Sequence, residues 1–458
     1  MRLILAADSH GGIALKGKLP WLGDKISDFD HFKKMTQNGY LLAGRTTTAS
    51  LPPLEGRTVF SVSKKTEGKH LSLEDALRHC SDLRREVWCI GGSKFAQSLL
   101  EKGMISEVFL TVFRKNYDCD LFLPEQLMPI IKSLNNLSNQ PQMFDSEWGI
   151  AVYQTFEHYT VYRCSPINQD ARTFQKLMLN VYQNGLVKQN RTGVATKSLF
   201  GAQLSFNIEG WRFPLSTLRK SFFRGIAEEL FWFCQGKTCS KDLEEKKINI
   251  WKGNSTQEFL RNNHLPYEEG DCGPIYGFQW THWGAEYQNC HTDYQNQGIN
   301  QLEWIVNEIK QNPSSRRLVL SGWNVKDIPK MALPPCHVLY QFIVEEIDGK
   351  KYLSCHMYQR SSDIVLAGEW NIASASLLTF MIAKVTGCLP RKLIVSYGDV
   401  HIYAVHHDGH IARYLERLPY QYPTLVFPKK DKLTDYTIQD FTLIDYYPHP
   451  PLELEMVA

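Results

Sequence analysis

A cysteine and a set of arginines are the residues of this sequence with the clearest chemical potential. Cys336 stands in the segment MALPPCH, between two prolines and a histidine. Most isolated cysteines are buried and inert, because a thiol packs like a small apolar group. A guanidinium binds phosphate through paired N–H groups, and nearby cations favour the thiolate. Unless the arginines are solvated surface charges, the pattern indicates a nucleophile beside a phosphate site; the arginines are Arg191 in NRTG, Arg316 and Arg317 in NPSSRRLVLSGWN, and Arg360 in YQRSSD.

A second group of candidate residues lies near the start of the chain. Asp28 falls on a helix predicted over 27–35, where Phe29 and Phe32 frame an apolar face. Gly44 and the pair Gly91-Gly92 follow predicted strands over 40–42 and 87–90. Backbone N–H groups at such strand-to-helix turns can cradle a phosphate. Each feature alone has a simpler explanation, since an acid suits a helix N-terminus and Gly-Gly turns are common.

The elements that must position these residues differ between the two ends of the chain. The first third alternates short β-rich runs, at 3–7, 59–62, 87–90 and 108–112, with a helical pattern at 73–83. This alternation predicts an α/β layer with a mostly parallel sheet. Residues 150–164 are predicted to close that layer as an edge hairpin or a long strand.

A boundary follows that segment. The turn formers SPINQD precede apolar residues at helical spacing from Phe174 to Tyr182, and the helix is expected to end at Asn184-Gly185. We therefore predict a first domain over 1–162, a short linker over 163–172 and a second domain over 173–458.

Composition restricts the possible functions. The chain has 458 residues, a formal net charge of +3, 43% apolar residues and 22% charged residues. Near-neutral charge argues against nucleic-acid binding, and no run approaches the roughly 20 apolar residues that span a bilayer. The 11 cysteines include no C-x-x-C pair and no metal-ligand spacing, Cys234 and Cys239 coming closest. Such thiols are typical of a reduced, cytoplasmic protein.

Residues 1–162 resemble dihydrofolate reductase, through Gly12-Ile13, Leu19-Pro20-Trp21, Asp28 with Phe32, GRTT at 44–47, LEGR at 54–57, Ile90-Gly91-Gly92, Thr111 and 120–124. The resemblance implies an α/β fold, NADPH as cofactor and dihydrofolate as substrate. It places Asp28 at the pterin ring, with Phe32, Thr111 and Arg57 also contacting the folate. The residues implied for NADPH are Ala7, Ile13, Gly44, Arg45, Thr46, Thr47, Ser63, Lys64, Gly91, Gly92, Ser93 and Lys94.

Residues 170–458 closely resemble thymidylate synthase along their length, which implies an α+β fold. The motifs are NRTG at 190–193, FPL at 213–215, EELFWF at 228–233, Ile250-Trp251, GPIYGFQW at 273–280, PPCH at 334–337, YQRS at 358–361, NIAS at 371–374, GDVHIY at 398–403 and PHP at 448–450. The implied reaction transfers carbon and hydride from 5,10-methylenetetrahydrofolate to dUMP. The order of the two halves is that of the fusions found in protists and plants.

The second resemblance also implies a role for each matching residue. Cys336 attacks C6 of dUMP, Glu229 organises proton transfers with Tyr276 and His337, and no metal is required. Arg316 and Arg317 reach the site of a partner subunit, so the chain is expected to be a homodimer. The remaining implied ligands are Arg191, Gln359, Arg360 and Ser361 around the phosphate, Asn371 at the uracil edge, His401 and Tyr403 at the ribose, and Ile250, Trp251, Asp363 and Leu366 at the folate.

The sequence departs from these families in three places. Ala96 stands where an aromatic residue often follows the Gly-Gly turn, and Leu218 replaces a threonine. The third is the segment Ala367-Gly368-Glu369-Trp370, where the family has glycine, a small apolar residue, proline and phenylalanine. Either the segment is compensated and ordinary, or folate binding is weakened while dUMP binding is kept.

Two other functions remain to be weighed. One half could have degenerated into a binding or regulatory module, although Asp28, Glu229, Cys336 and Asn371 are all present. The second half could instead hydroxymethylate dCMP. An aspartate at position 371 would favour that reaction, and the asparagine found there favours uracil.

Overall fold

The structure is a computed structural model that describes residues 1–65, 68–82, 85–134, 142–143, 148–190, 193–406, 409–452 and 454. The chain forms two compact units. The first comprises Met1–Asn168 together with the short segment Glu416–Gln421, and the second comprises Gln169–Leu415 and Tyr422–Ala458. Within the described residues no helix is long and apolar enough to cross a membrane.

The first unit is an α/β layer built on one large sheet. Its strands run in the order β5-β4-β3-β6-β1-β7-β11-β10-β9, and neighbours from β5 to β7 are parallel. The elements are β1 (Arg2–Ala7), β2 (Gly12–Ala14), α1 (Phe29–Met35), β3 (Tyr40–Gly44), α2 (Arg45–Ser50), β4 (Thr58–Val62), β5 (His70–Leu71), α3 (Leu73–His79), β6 (Val87–Cys89), α4 (Ser93–Glu101), β7 (Glu107–Phe113), β8 (Leu121–Phe122), α5 (Met128–Leu134), β9 (Gln142–Met143), β10 (Trp148–Thr155) and β11 (Tyr159–Pro166).

The burial of the central strands is typical of a parallel sheet. Every residue of β7 is buried, as expected for a strand covered on both faces. The mostly parallel sheet predicted from the sequence is confirmed. One local prediction was wrong: Asp28 precedes α1 as its N-cap residue and is not inside the helix. At the first residue of α1, the N–H of Phe29 donates to Ser27 Oγ at 3.0 Å.

The antiparallel edge of the sheet receives the second chain segment of this unit. Asn168 N–H donates to Pro419 O at 2.9 Å, and the Arg163 guanidinium lies 3.4 Å from the centre of the Tyr420 ring. A Cβ at Gly149 would lie only 2.7 Å from Leu418 Cδ1, so glycine is required for this packing. Residues 416–421 therefore complete the core of the first unit.

A buried ion group ties three strands of the same sheet together. Glu107 forms an ion pair with Arg2, with 3.0 Å between Oε2 and Nε, and also contacts Arg163, and all three side chains are nearly inaccessible to solvent. A buried carboxylate needs such partners, because desolvation otherwise opposes its charge. The group links β1, β7 and β11.

The junction between the units is shorter than the predicted linker. Strand β11 continues to Pro166, and helix α6 begins at Gln169. Pairing with β7 and β10 extends the strand beyond residue 162, and Asp170 accepts the N–H of Asn207, which anchors the helix start. Residues 167–168 alone lie between the two elements.

The second unit packs helices on one face of a six-stranded sheet, in the order β12-β13-β17-β16-β15-β14. Its α+β class agrees with the sequence prediction. The elements are α6 (Gln169–Asn184), β12 (Leu186–Lys188), β13 (Thr196–Asn207), α7 (Phe223–Cys234), α8 (Lys241–Glu244), α9 (Gln257–Asn262), α10 (Tyr276–Thr281), α11 (Gln301–Gln311), β14 (Val319–Ser321), β15 (His337–Ile347), β16 (Lys350–Asp363), α12 (Gly368–Thr386), β17 (Leu389–Tyr403), α13 (His410–Glu416), β18 (Thr424–Val426) and β19 (Thr442–Ile444).

The two faces of this sheet differ sharply. One face is buried under a core that surrounds α12, a helix with apolar side chains on all sides. On the opposite face, every second residue of the strands is exposed or half-buried. The residues of this face include the polar Gln341 and His356 and the apolar or aromatic Val319, Leu339, Ile343, Tyr358 and Ile394.

Candidate active sites

Cys336 is fixed at the end of a loop, immediately before strand β15. Its N–H donates to the Tyr276 hydroxyl at 2.6 Å, and Tyr276 is the first residue of α10. On the other side, its carbonyl accepts the N–H of Arg360 at 2.9 Å. Burial holds the pKa of Tyr276 well above its usual range, so this hydroxyl stays neutral. The backbone of the cysteine is thus held from a helix and a strand.

The Arg360 side chain reaches around the same loop. Its Nε and Nη2 donate to the carbonyls of Pro335 and Pro334, both at 2.9 Å, and Nη2 lies 4.0 Å from Cys336 Sγ. A cation at this distance favours negative charge on sulfur. Pro334 and Pro335 precede β15, so their carbonyls lie outside the strand pairing and are available to the guanidinium.

His337 and Asn371 meet beside the cysteine. Burial lowers the pKa of His337 to about 4, although its contact with the Asn371 side chain opposes the shift. The His337 ring also shares a hydrogen bond of 3.0 Å with the Tyr340 hydroxyl through Nδ1. The imidazole is therefore neutral at physiological pH and fixed in orientation.

Glu229 lies in the middle of α7 with its carboxylate held between two indoles. Trp251 Nε1 donates to Oε1 and Trp370 Nε1 donates to Oε2, both at 2.8 Å. Burial raises the pKa of Glu229, and the two indole hydrogen bonds act in the opposite direction. Neither indole was predicted from the sequence as a hydrogen-bond donor to Glu229. The contact from Trp370 could not be anticipated, because phenylalanine is usual at that position and has no N–H group.

Glu369 is the buried acid of the unusual segment, and the structure supplies its partners. Tyr414 Oη donates to it at 2.7 Å, Arg219 Nε lies 3.5 Å away, and the Ser216 hydroxyl also donates to it. Arg219 further donates to the carbonyl of Leu366 at 2.7 Å. The charge at 369 is therefore paired. Arg219, which directly follows the unusual Leu218, was the sequence signal that could have indicated this pairing.

The other predicted residues of this site lie on β16, β17 and the start of α12. Gln359 is buried and donates to Ser361 O at 3.2 Å, while its Oε1 has no partner in the part of the chain that is described. Asp363 accepts the N–H groups of Val365 and Leu366 at 3.0 and 3.3 Å.

Two ribose candidates lie farther along β17. His401 Nδ1 is 2.8 Å from Asp399 Oδ1, and the His401 and Tyr403 rings meet edge to face at 5.2 Å. The hydrogen bond from His401, followed by those from Ser198 and Lys188, lowers the pKa of Asp399 to about 2. Asp399 therefore fixes the imidazole from one side.

The remaining arginines are placed differently. Arg316 and Arg317 are exposed just before β14, and within the described residues neither guanidinium forms an ion pair with a carboxylate. Arg191 lies outside the described residues. Ile250 is half-buried and packs against the main core.

In the first unit, Asp28 lies at the mouth of an apolar cluster that includes Phe32 and Trp21. Burial raises the pKa of Asp28, and the nearby Thr111 hydroxyl opposes the shift. Thr111 Oγ1 and Trp21 Nε1 are buried without a hydrogen bond of good geometry to any described residue. These groups are suitable for a ligand that brings its own polar atoms, such as a pterin ring.

Two glycine turns face each other at the carboxyl ends of β3 and β6. Gly44 and Gly92 are the N-cap residues of α2 and α4, and Gly44 N–H donates to Gly91 O at 2.9 Å. A Cβ at Gly92 would lie 3.2 Å from Thr47 Oγ1 and would crowd the space between the turns. Two helix N-termini thus converge on a cradle that fits the pyrophosphate of a dinucleotide.

The other N-terminal candidates surround this cradle and the apolar cluster. Arg57 donates to Thr36 Oγ1 at 3.1 Å and also bonds to the carbonyls of Glu55 and Lys33, so it is fixed beside the end of α1. Ala96 is fully buried and contributes no ring. Ala7 and Ile13 are buried, whereas the exposed or half-buried candidates are Arg45, Thr46, Thr47, Ser63, Lys64, Ser93 and Lys94.

Comparisons with known proteins agree with this division. The dihydrofolate reductase family model matches residues 1–136, and the thymidylate synthase family model matches residues 172–458. Three similar relatives are bifunctional dihydrofolate reductase-thymidylate synthases. The protein of Paramecium tetraurelia is 38% identical, over 100% of this chain and 98% of its own; that of Leishmania major is 35% identical, over 100% and 95%; and one of Arabidopsis thaliana is 34% identical, over 100% and 96%.

These matches define a two-domain enzyme in which an oxidoreductase precedes a methyltransferase. The chain belongs to the family of bifunctional dihydrofolate reductase-thymidylate synthases, and it carries both activities. The alternative in which one half has degenerated receives no support from the comparisons.

The pairing of Glu369 with Arg219 can be tested through stability. Arg219→Met should lower the free energy of unfolding of the second unit by about 3–5 kcal/mol, because it leaves a buried carboxylate without its cation. Adding Glu369→Gln should recover most of that loss, as measured by urea denaturation. Lys326→Met, which removes an exposed pair with Glu286, is the control and should change stability by less than about 1 kcal/mol. Equal effects of Arg219→Met with and without Glu369→Gln would contradict the pairing.

Proposed function

We propose that the first unit binds NADPH across the carboxyl ends of β3 and β6 and binds dihydrofolate in the cluster beside Asp28. When bound, NADPH supplies the hydride that reduces dihydrofolate to tetrahydrofolate. The Gly44 and Gly91-Gly92 turns hold the pyrophosphate through backbone N–H groups, and Arg45 with Ser63 and Lys64 binds the 2′-phosphate. The convergence of two helix N-termini supports this assignment.

Asp28 is the proposed proton-organising group of the reductase. Its carboxyl is the buried acid at the apolar cluster, and burial raises its pKa toward the range useful at neutral pH. Thr111 and Phe32 complete the pterin and benzoyl contacts, while Arg57 pairs with the glutamate of the folate. The fixed position of Arg57 supports that role, because an anchored guanidinium loses little entropy on binding a carboxylate.

We propose that the second unit methylates dUMP through a covalent adduct with Cys336. The thiolate adds to C6 of the uracil, C5 then attacks the methylene of 5,10-methylenetetrahydrofolate, and the C5 proton leaves. Hydride transfer from the folate yields dTMP and dihydrofolate, and Cys336 is released. Glu229 organises the proton transfers, with Tyr276 and His337 in support.

Other side chains of the same site would contact the remaining parts of dUMP and the folate. Arg360, Ser361, Gln359 and Arg191 bind the phosphate and its surroundings, and Asn371 binds the uracil edge. His401 and Tyr403 bind the ribose hydroxyl, while Ile250, Trp251, Asp363 and Leu366 line the folate site. The observation that carries the proposal is the setting of Cys336. Its N–H donates to the Tyr276 hydroxyl, Arg360 Nη2 lies 4.0 Å from its Sγ, and the next residue, His337, contacts Asn371.

We further propose that the enzyme acts as a homodimer through the second unit and resides in the cytoplasm. The exposed face of the six-stranded sheet carries Val319, Ile343 and Tyr358, which a second copy of the chain would cover. Arg316 and Arg317 project at the same edge without carboxylate partners among the described residues. They would complete the phosphate site of the partner subunit. The cysteines, which lack any disulfide spacing, support a reducing compartment.

The two activities should separate by single substitutions. Asp28→Asn should reduce dihydrofolate reduction at neutral pH by about 10²–10⁴-fold and leave dTMP synthesis near wild type, because only the first site loses its acid. Cys336→Ser should abolish dTMP synthesis and spare the reductase. A coupled assay that follows dTMP and NADPH separately measures both. Loss of both activities from either variant, in a chain that remains folded, would refute two independent sites.

Subunit mixing tests the shared phosphate site. After subunit exchange, equal amounts of Cys336→Ser and Arg316→Ala chains should recover about a quarter of wild-type synthase activity, because half of the dimers are mixed and each has one intact site. Cys336→Ser mixed with Glu229→Gln is the matched control and should recover none, since both residues come from the same subunit of one site. Equal recovery in both mixtures, or an active monomer by light scattering, would exclude the shared site.

A further inference from the structure

Four potential metal ligands from three separate loops converge in the second unit, away from the residues assigned above. The ligand atoms of Glu268, Cys290 and His291 all lie within 4.8 Å of one another. Cys239 lies beside this group, since its side chain interacts with those of Cys290 and His291. Both cysteines are half-buried, whereas Glu268 and His291 are exposed.

A fifth residue holds these loops in place. Asp271 is fully buried and accepts the N–H of Cys290 at 3.0 Å, and its own backbone pairs with Cys239 across an isolated bridge. Its carboxylate also accepts the hydroxyl of Tyr287 at 2.6 Å. Asp271 therefore holds Cys290 through its side chain and Cys239 through its backbone, which is how supporting residues orient metal ligands.

The donor set and its spacing fit zinc. Two sulfurs, one imidazole nitrogen and one carboxylate oxygen form a typical tetrahedral combination. Zinc–ligand bonds of about 2.0–2.3 Å place neighbouring ligand atoms roughly 3.3–3.8 Å apart. The separations within 4.8 Å among Glu268, Cys290 and His291 therefore require at most about 1.5 Å of contraction. The exposed side chains of Glu268 and His291 can supply that movement.

Two of the donors already meet at one point. The Glu268 carboxylate contacts the His291 imidazole through Nε2. We propose that Cys239, Glu268, Cys290 and His291 bind a structural zinc ion.

The zinc would stabilise the helix that carries Glu229. Trp232 on α7 donates from Nε1 to the carbonyl of Cys239 at 3.1 Å, which connects the site to that helix. This role is structural and does not depend on either catalytic proposal. Because Cys239, Glu268 and Cys290 are far apart in sequence, the spacing of the cysteines alone did not indicate a metal.

Cobalt binding tests the site directly. The full-length Cys336→Ser chain, stripped of metal under reducing conditions, should bind one Co²⁺ with the intense visible bands of tetrahedral thiolate coordination, and Zn²⁺ should displace it. Cys290→Ser should abolish the spectrum, and the exposed change His291→Ala should weaken binding at least tenfold. Cys388→Ser, at a buried cysteine elsewhere, is the control and should bind normally.

Three results would overturn the zinc site. The first is the absence of a tetrahedral spectrum, and the second is binding that survives both Cys290→Ser and His291→Ala. The third is a metal-free chain, isolated without reductant, in which mass spectrometry finds Cys239 and Cys290 joined as a disulfide.

A second, independent observation concerns Trp370. Its indole N–H binds Glu229, and its ring fills space that one glycine leaves open. A Cβ at Gly225, one turn before Glu229 on α7, would lie 2.8 Å from Trp370 Cη2 and 2.6 Å from Phe222 Cδ1. Phe222 is largely exposed and can move, but the indole is held by its hydrogen bond. Gly225 and Trp370 are therefore matched in size.

The residue before Trp370 fixes the start of the same helix. Glu369 is bound by Tyr414, Arg219 and Ser216, so the first turn of α12 has little freedom. We infer that Trp370 is a positioning residue of the methyl transfer, which aims one oxygen of Glu229 through its N–H group. The inference rests on the proposed role of Glu229.

The ionisable groups around Glu229 among the described residues include Tyr276 and Tyr340, and burial keeps the pKa of each well above its usual range. Both tyrosines stay neutral in the range where the carboxyl titrates. His337 packs on Tyr276 at 5.4 Å and has its pKa lowered by burial to about 4, so Trp370→Phe is compared with the wild type, in which the His337 titration is the same. A hydrogen bond to a carboxylate lowers its pKa, so removing the Trp370 N–H should raise the pKa of Glu229.

Trp370→Phe keeps a ring and removes the donor. The acidic limb of the kcat profile should move to higher pH, and kcat at neutral pH should fall about tenfold, with the KM for dUMP unchanged. Trp304→Phe, at an exposed tryptophan on α11, is the control and should behave as wild type. Gly225→Ala alone should lower kcat, and the double variant Gly225→Ala/Trp370→Phe should be no worse than Trp370→Phe.

The outcomes separate this inference from the proposed function. A changed KM for the folate with an unmoved pH profile would overturn the positioning role and show that Trp370 only packs against the folate. Wild-type activity in Glu229→Gln would instead refute the proposed role of Glu229.

Discussion

The candidate site of the second unit depends on the hydrogen bond from the Cys336 N–H to the Tyr276 hydroxyl, at 2.6 Å. It joins a loop to the first residue of a short buried helix. Strand β15 begins at the next residue, where His337 pairs with Gln359. The cysteine therefore cannot shift along the chain without breaking both a strand ladder and a helix contact. The surrounding polar groups have a fixed thiol on which to converge.

Two buried acids of the same unit, Glu229 and Glu369, each have several donors around the carboxyl group. Glu229 receives two indole N–H groups, and Glu369 receives a guanidinium and two hydroxyls. The difference between these donor sets has a chemical meaning. The donors to Glu229 are neutral indoles, whereas Glu369 forms an ion pair with the guanidinium of Arg219. One acid is suited to proton transfer and the other to fixing the backbone.

Much of the fold and part of the site could be predicted from the sequence. The parallel strands of the first unit were visible because short β-rich runs alternate with helical patterns along the first third of the chain. The thiol motif was visible because its prolines, cysteine and histidine are consecutive. The partners of Glu369 were not, since Arg219 and Tyr414 approach it from distant parts of the chain. Asp28 was misplaced by one residue because helix boundaries depend on local capping, which periodicity does not resolve.

The segment Glu416–Gln421 has a consequence for how the protein is made. The first unit includes these residues, although they lie near the end of the chain. Leu418 fills the space above Gly149, and Tyr420 covers Arg163. Domains commonly fold as they emerge from the ribosome, from the N-terminus onward. Here the contacts of Leu418 and Tyr420 with Ala151 can form only after nearly all of the second unit has been translated, so the edge of the first sheet gains this cover late in synthesis.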